Sequence, residues 1–181
     1  QYTFKACLVV CGGHHERMLL TCAEWAIESD VALAIAEATD ALEKSSDFSS
    51  VEALVPYLSD LPHSVGFSTL AALCGRVMER IVPDGENETL GEMSSILAGR
   101  VAQLFGYEEG DEVTEDLKFV SYMIVSDFDP IEDPAEDLEA IGGRRLTACL
   151  LMMLTGLSAM MGANEDVSWG DPIRDEIDEN S

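Results

Sequence analysis

Residues 146–161 read LTACLLMMLTGLSAMM, a run without a single charge. Wound as a helix, it is apolar on every side, so it must either sit at the centre of a core or cross a membrane. Crossing requires about 20 apolar residues. The stretch 146–164 is just short of that, and it contains Thr147, Thr155, Gly156, Ser158, Gly162 and Asn164. Its flanks, Arg144-Arg145 before and Glu165-Asp166 after, do fit the positive-inside pattern. A bilayer span over 146–164 is therefore the minor alternative. The expectation is a buried central helix, because the rest of the chain needs one to pack against.

The rest of the chain is a series of one-sided stripes at the helical period. Met18, Cys22 and Trp25 recur at the right spacing within 16–28. Val31, Ile35, Ala38 and Leu42 form a second set, and Val51, Leu54, Val55 and Leu58 a third. Leu70, Leu73, Cys74, Val77, Met78 and Ile81 follow, then Met93, Ile96, Leu97, Val101 and Leu104, then Leu117, Val120 and Ile124. Each stripe lets one helix face bury against a neighbour. Tyr2 to Val10 fits a strand or a first helix ending at Gly12. No second strand-like run offers it a partner, so helix is the preferred reading.

Local signals agree with this segmentation. Ser49 stands three before Glu52 and Thr89 three before Glu92, the spacing of a capping box. Thr114 precedes Glu115 and Asp116, acids that suit the positive end of a helix. Asp133-Pro134 with Glu136 reads as another start. Breaks fall at Gly12-Gly13, Ser45-Ser46, Pro62, Pro83-Asp84-Gly85, Glu109-Gly110 and Asp129-Pro130. Connections this short favour antiparallel neighbours. The predicted architecture is an all-α, single-domain antiparallel bundle of six or seven helices around the central apolar helix 146–161. The helical domain covers 1–164, and 165–181 is an acidic C-terminal tail packed on the body. Ile173 and Ile177 give that tail one apolar face.

Charge narrows the function classes. Ten Lys and Arg face 35 Asp and Glu among 181 residues, a net −25. Of those acids, 24 lie in residues 83–181, concentrated at Glu108–Asp116, Asp127–Glu139 and Glu165–Glu179. Direct nucleic-acid binding is excluded for want of a basic patch. An anionic membrane surface is disfavoured for the same reason. The acids serve as a solvating or salt-adapted, halophilic-like surface, or as a face for a basic partner that speeds encounter and rejects other partners. Residues proposed to touch such a partner are Glu108, Glu109, Asp111, Glu112, Phe128, Asp129, Glu132, Asp133 and Trp169. The apolar residues in the first two acidic clusters, Tyr107, Val113, Phe128 and Ile131, are the anchor candidates, with the acids as the rim. Trp169, an aromatic set among acids, tucks onto the body or anchors the partner, and tucking is preferred because an exposed Trp costs solubility.

Chemistry is thinly represented. Five cysteines at irregular spacing, Cys7, Cys11, Cys22, Cys74 and Cys149, read as reduced thiols rather than a disulfide framework. Cys7, Cys11, His14 and His15 form the one cluster of metal-ligand type, without the second pair a structural zinc site uses. Cys11 beside His14 and Glu16, with Gly12-Gly13 between, is the best nucleophile arrangement, but it lacks a catalytic signature. Neither acidic glycine loop, 84–88 nor 108–112, follows the calcium-loop order. No phosphate loop is present. Lys5 followed by the short apolar run Ala6–Cys11 does not make a signal peptide.

The expectation is a cytoplasmic, non-enzymatic interaction protein of the inhibitor, immunity or nucleic-acid-mimic type, without catalytic residue, metal or cofactor, that binds a basic protein or itself. One alternative is a helical structural or assembly subunit with a salt-adapted surface. The other is a helical enzyme or apolar-ligand-binding protein with a pocket lined by Met152, Met153, Met160 and Met161.

Overall fold

A computed structural model describes residues 26–62, 65–81, 87–125 and 143–179. They form seven helices: α1 Ser29–Ser45, α2 Ser49–Asp60, α3 Gly66–Ile81, α4 Asn87–Leu104, α5 Glu112–Val125, α6 Gly143–Glu165 and α7 Asp171–Glu179. Among the described residues there is no strand. The fold is an all-α bundle. The stripe expected over 16–28, the segment 2–10, the proposed helix start at Asp133 and the breaks at Gly12-Gly13, Pro83-Asp84-Gly85 and Asp129-Pro130 lie outside the described residues.

Helix α6 is the hub, packed against all six of the other described helices. Leu151, Met153, Leu154 and Leu157 are completely buried on it. By length and composition Arg144–Glu165 would also suffice to cross a membrane, but 67% of its apolar window is buried inside the bundle. Close approach needs small residues. At Gly156 an added Cβ would stand 2.7 Å from both methyl groups of Val101, so α4 crosses α6 at that point. The buried side chains of all the helices join in one core, the arrangement expected when every amphipathic face turns toward one apolar centre.

The stripes fall where the period places them. Val31, Ile35, Ala38 and Leu42 are buried on α1, and Leu70, Leu73, Cys74, Val77 and Met78 on α3. One assignment fails. Ile96 is 57% exposed whereas its neighbour Leu97 is 4% exposed. The stripe on α4 is narrower than its sequence because Val101 and Leu97 already fill the contact with α6.

The helix starts differ in detail. Ser49 is the first residue of α2 rather than its cap, and the preceding Phe48 makes no side-chain capping bond. Asp47 does that work two residues upstream, its Oδ1 accepting the Ser49 N–H at 3.0 Å. Bonds from Ser49 hold the Asp47 carboxyl below the usual carboxylate range. Thr114 lies inside the first turn of α5, where its hydroxyl donates to the Glu108 carbonyl at 2.7 Å and fastens the α4–α5 loop. Thr89 likewise falls within α4, which begins at Asn87. Ser46 closes α1 in the left-handed region, φ 55°, with its N–H on the Leu42 carbonyl.

The C-terminal α7 packs on α1, α3 and α6. Ile173 is fully buried, and Ile177 lies against the core. Polar contacts clasp it. Arg174 pairs with Asp40 and Asp171, and the Gly170 N–H donates to Asp40 Oδ1 at 2.8 Å. Arg80 reaches from α3 to the Pro172 carbonyl at 3.1 Å and to Glu176 at 3.2 Å. Glu176 is 4% exposed, so its charge relies on that arginine. A buried carboxylate is tolerated when paired and hydrogen-bonded.

Candidate interaction groove and acidic surface

The acids of the α4–α5 turn are arranged around two cations of the chain itself. Lys118 on α5 pairs with Glu109 and Glu115. Arg145, at the start of α6, takes Asp116 at 2.6 Å through Nε and Glu112 at 2.7 Å through a terminal nitrogen. Asp111 turns inward on its own loop, its Oδ2 accepting the Glu108 N–H at 2.7 Å. The loop is turned by Gly106 and Gly110, at φ 86° and 92°, a conformation that carries a steric cost for any residue with a Cβ. Glu108, Glu109, Asp111 and Glu112 therefore share one exposed turn, as the sequence implied. Two of them, Glu109 and Glu112, are held by internal ion pairs that any partner would share or displace. Tyr107 beside them is 37% exposed, while Val113 is packed on the core. Phe128, Asp129, Glu132, Asp133 and Ile131 lie outside the described residues.

Trp169 lies at the far end of the chain's path, away from that turn in sequence but fixed to the bundle. Its backbone N–H donates to Glu43 Oε1 at 2.9 Å, and its backbone carbonyl accepts the Ser158 hydroxyl at 2.5 Å. The indole is half-buried, so the residue is tucked onto the body. Close packing requires glycine nearby. An added Cβ at Gly162 would come within 2.8 Å of the Trp169 Cα.

Trp169 also forms one end of a groove of about 1020 Å³ between α3, α4 and the last turns of α6. Its floor is apolar, with Ile81 on α3, Met93, Leu97 and Leu104 on α4, and Met160 and Met161 on α6. Arg80, Arg100, Gln103, Asn164 and Glu165 complete the lining. Of the methionines expected to line a pocket, Met160 and Met161 do so. Met153 is fully buried core, and Met152 is half-buried against it. Arg80 is neutralised by Glu176 and Asp175. Sequence reasoning missed Arg80 and Arg100, which are twenty residues apart on different helices. The only available signal was that both stand beside an apolar stripe.

Buried thiols make poor nucleophiles here. Burial pushes Cys74 up to about 12, and its Sγ donates to the Leu150 carbonyl at 3.3 Å. Burial, then the negative charge of Asp116, pushes Cys149 up to about 12 as well. The thiolate is the reactive form, so at pH 8 both sulfurs should resist iodoacetamide in the folded protein and react in urea. Peptide mass spectrometry reads this, and rapid native labelling of either would contradict the burial described. Among the described residues no group of three or more His, Cys, Asp or Glu is placed to hold a metal ion. The cluster Cys7, Cys11, His14 and His15 lies outside them.

Comparison of the chain with protein-family models, with curated proteins and with solved structures gives no match.

Proposed function

We propose that this protein is a non-catalytic interaction module that acts on a basic protein partner. The observation that carries the reading is an uncompensated acid surplus. Lys118, Arg80, Arg145 and Arg174 are each already shared between two carboxylates of the chain. With ten Lys and Arg against 35 Asp and Glu, the carboxylates of the whole chain outnumber its cations by 25. Such a field raises the encounter rate with a basic surface and disfavours acidic partners. The partner belongs to the class of cationic proteins, such as a basic toxin, nuclease or nucleic-acid-binding protein.

The test is affinity capture from the source cell at 0.1 M and 1 M salt, with the captured proteins identified by mass spectrometry. The reading expects a cationic protein retained at the lower salt and lost at the higher. Capture that ignores salt, or a set of acidic partners, would overturn it.

The same surplus bears on stability. Repulsion among unpaired acids favours the expanded chain, and the screening length falls from about 10 Å at 0.1 M salt to about 3 Å at 1 M. The melting temperature in differential scanning calorimetry should therefore rise between these salts. A flat or falling curve would mean that the acids are already compensated.

A further inference from the structure

We propose that α7 is a releasable strap, which leaves its seat on α1, α3 and α6 in acid while those helices stay folded. This stands apart from the basic-partner reading, and either can fail without the other.

Alone, α7 would not hold its shape. It has nine residues, and isolated helices shorter than about 12–15 residues are marginal in water. Its helical form therefore depends on docking. The apolar part of that docking is small. Ile173 is fully buried, Pro172 is buried and Ile177 is partly covered. The rest of the attachment is polar.

The polar contacts run in both directions. On α1, Asp40 pairs with Arg174 and accepts the Gly170 N–H, and Glu43 accepts the Trp169 backbone N–H. On α7, Glu176 at 3.2 Å and Asp175 at 3.4 Å hold Arg80 of α3. From α6 the Ser158 hydroxyl donates to the Trp169 backbone carbonyl. Further ionisable groups on these elements, among the described residues, are Lys44 beside Glu43, Arg76 and Glu79 within a turn of Arg80, and Asp178 on α7. Glu165 at the end of α6 lies near Trp169 and Arg80, and Asp171 pairs with Arg174. The anions that hold the strap are thus all carboxylates, which acid neutralises, while the guanidiniums keep their charge.

Acid acts in opposite directions on the two parts. Protonating Asp40 or Glu176 turns an anionic acceptor into a neutral acid. Arg174 and Arg80, both part-buried, then lose their counter-charges, and an uncompensated charge at a packed contact is costly. For the bundle, the same protons remove repulsion among the surplus acids. Its core is apolar and does not depend on charge. The seat is also too tight for the strap to shift gradually. Gly170 lies against the Ala36 carbonyl and Gly162 against Trp169, so α7 is either docked or free. Small terminal units of this kind open below the free energy of global unfolding.

Trp169 reports the seat. In a Trp25→Phe background it is the sole tryptophan, and acrylamide quenching measures its exposure. Far-UV circular dichroism follows the bundle. Free carboxylates protonate at about pH 4, so both signals are read from pH 7 to about pH 3. The quenching constant should rise about twofold or more at a pH where nearly all of the helical signal remains, the mark of local rather than global opening. Asp40→Asn joined to Glu176→Gln copies the acid state and should show the higher quenching already at pH 7, with the helical signal kept. Glu109→Gln joined to Glu112→Gln removes the same two charges from the α4–α5 turn and should leave quenching unchanged. Arg174→Met should move the Trp169 transition to higher pH. Quenching that stays constant throughout, or that is already high at pH 7 in the Trp25→Phe protein, would overturn the proposal. Loss of the helical signal together with the seat, in acid or in the Asp40→Asn/Glu176→Gln variant, would overturn it as well, since α7 would then be inseparable from the bundle. Equal effects of the two double variants, or an Arg174→Met transition at the wild-type pH, would show that these carboxylates do not hold the strap and overturn it likewise.

Discussion

Gly170→Ala should destabilise the protein by about 2–4 kcal/mol, as expected for overpacking joined to a broken, partly buried hydrogen bond. An added Cβ would stand 2.4 Å from the Ala36 carbonyl oxygen and 2.8 Å from Asp40 Oδ1. The first of these is backbone in the middle of α1 and cannot swing aside. The start of α7 would have to lift, stretching the Gly170 N–H bond to Asp40 and the Arg174–Asp40 pair together. Gly99→Ala is the internal control. Nothing crowds a Cβ there, the nearest atom being Glu109 Oε2 at 3.9 Å. In a helix interior that change should stabilise by about 0.5–1 kcal/mol through lost chain entropy. Urea unfolding of both variants reads the opposite signs. A neutral Gly170→Ala would mean that α7 is not seated on α1 as described.

Leu154→Ala should cost about 2–5 kcal/mol, the range for removing a large buried aliphatic side chain and leaving a cavity. Leu154 is fully buried at the middle of α6, where the other helices converge. Ile96→Ala, on the exposed face of α4, should lie within about 0.5 kcal/mol of wild type. The pair separates burial from hydrophobicity, since both residues sit on apolar stripes in the sequence. A small effect at Leu154 would remove α6 from the centre of the bundle.

The helices were legible because burial repeats along them at the helical period. Val31, Ile35, Ala38 and Leu42 announce α1, and the charge-free run 146–161 announces the hub. Ile173 and Ile177 announced even the short α7. The helix starts were less legible. Asp47 rather than Ser49 meets the first N–H of α2, and Thr114 bonds backward to Glu108, because a cap is settled by local backbone geometry that periodicity does not encode. Ile96 was misread because a stripe wider than its contact leaves one member outside.

The candidate site was only partly legible. Met160 and Met161 stood out as a possible lining. Arg80 and Arg100 come together only once α3 and α4 flank α6, which no sequence spacing expresses. The acidic turn was visible as a cluster, but its internal pairing with Lys118 and Arg145 depends on α5 lying beside the start of α6. Tertiary placement thus turns part of an apparent partner surface into an intramolecular network.

The central claim is that the acid surplus steers a cationic partner. Stopped-flow association of a fluorescein-labelled lysine-rich peptide with the wild-type protein, at 0.1 M and 1 M salt, tests it most directly. Long-range steering acts on the association rate and is screened by salt. The account predicts an on-rate that falls about tenfold or more across that range, with an off-rate that changes far less. An on-rate unchanged by salt, with any loss of affinity confined to the off-rate, would contradict it.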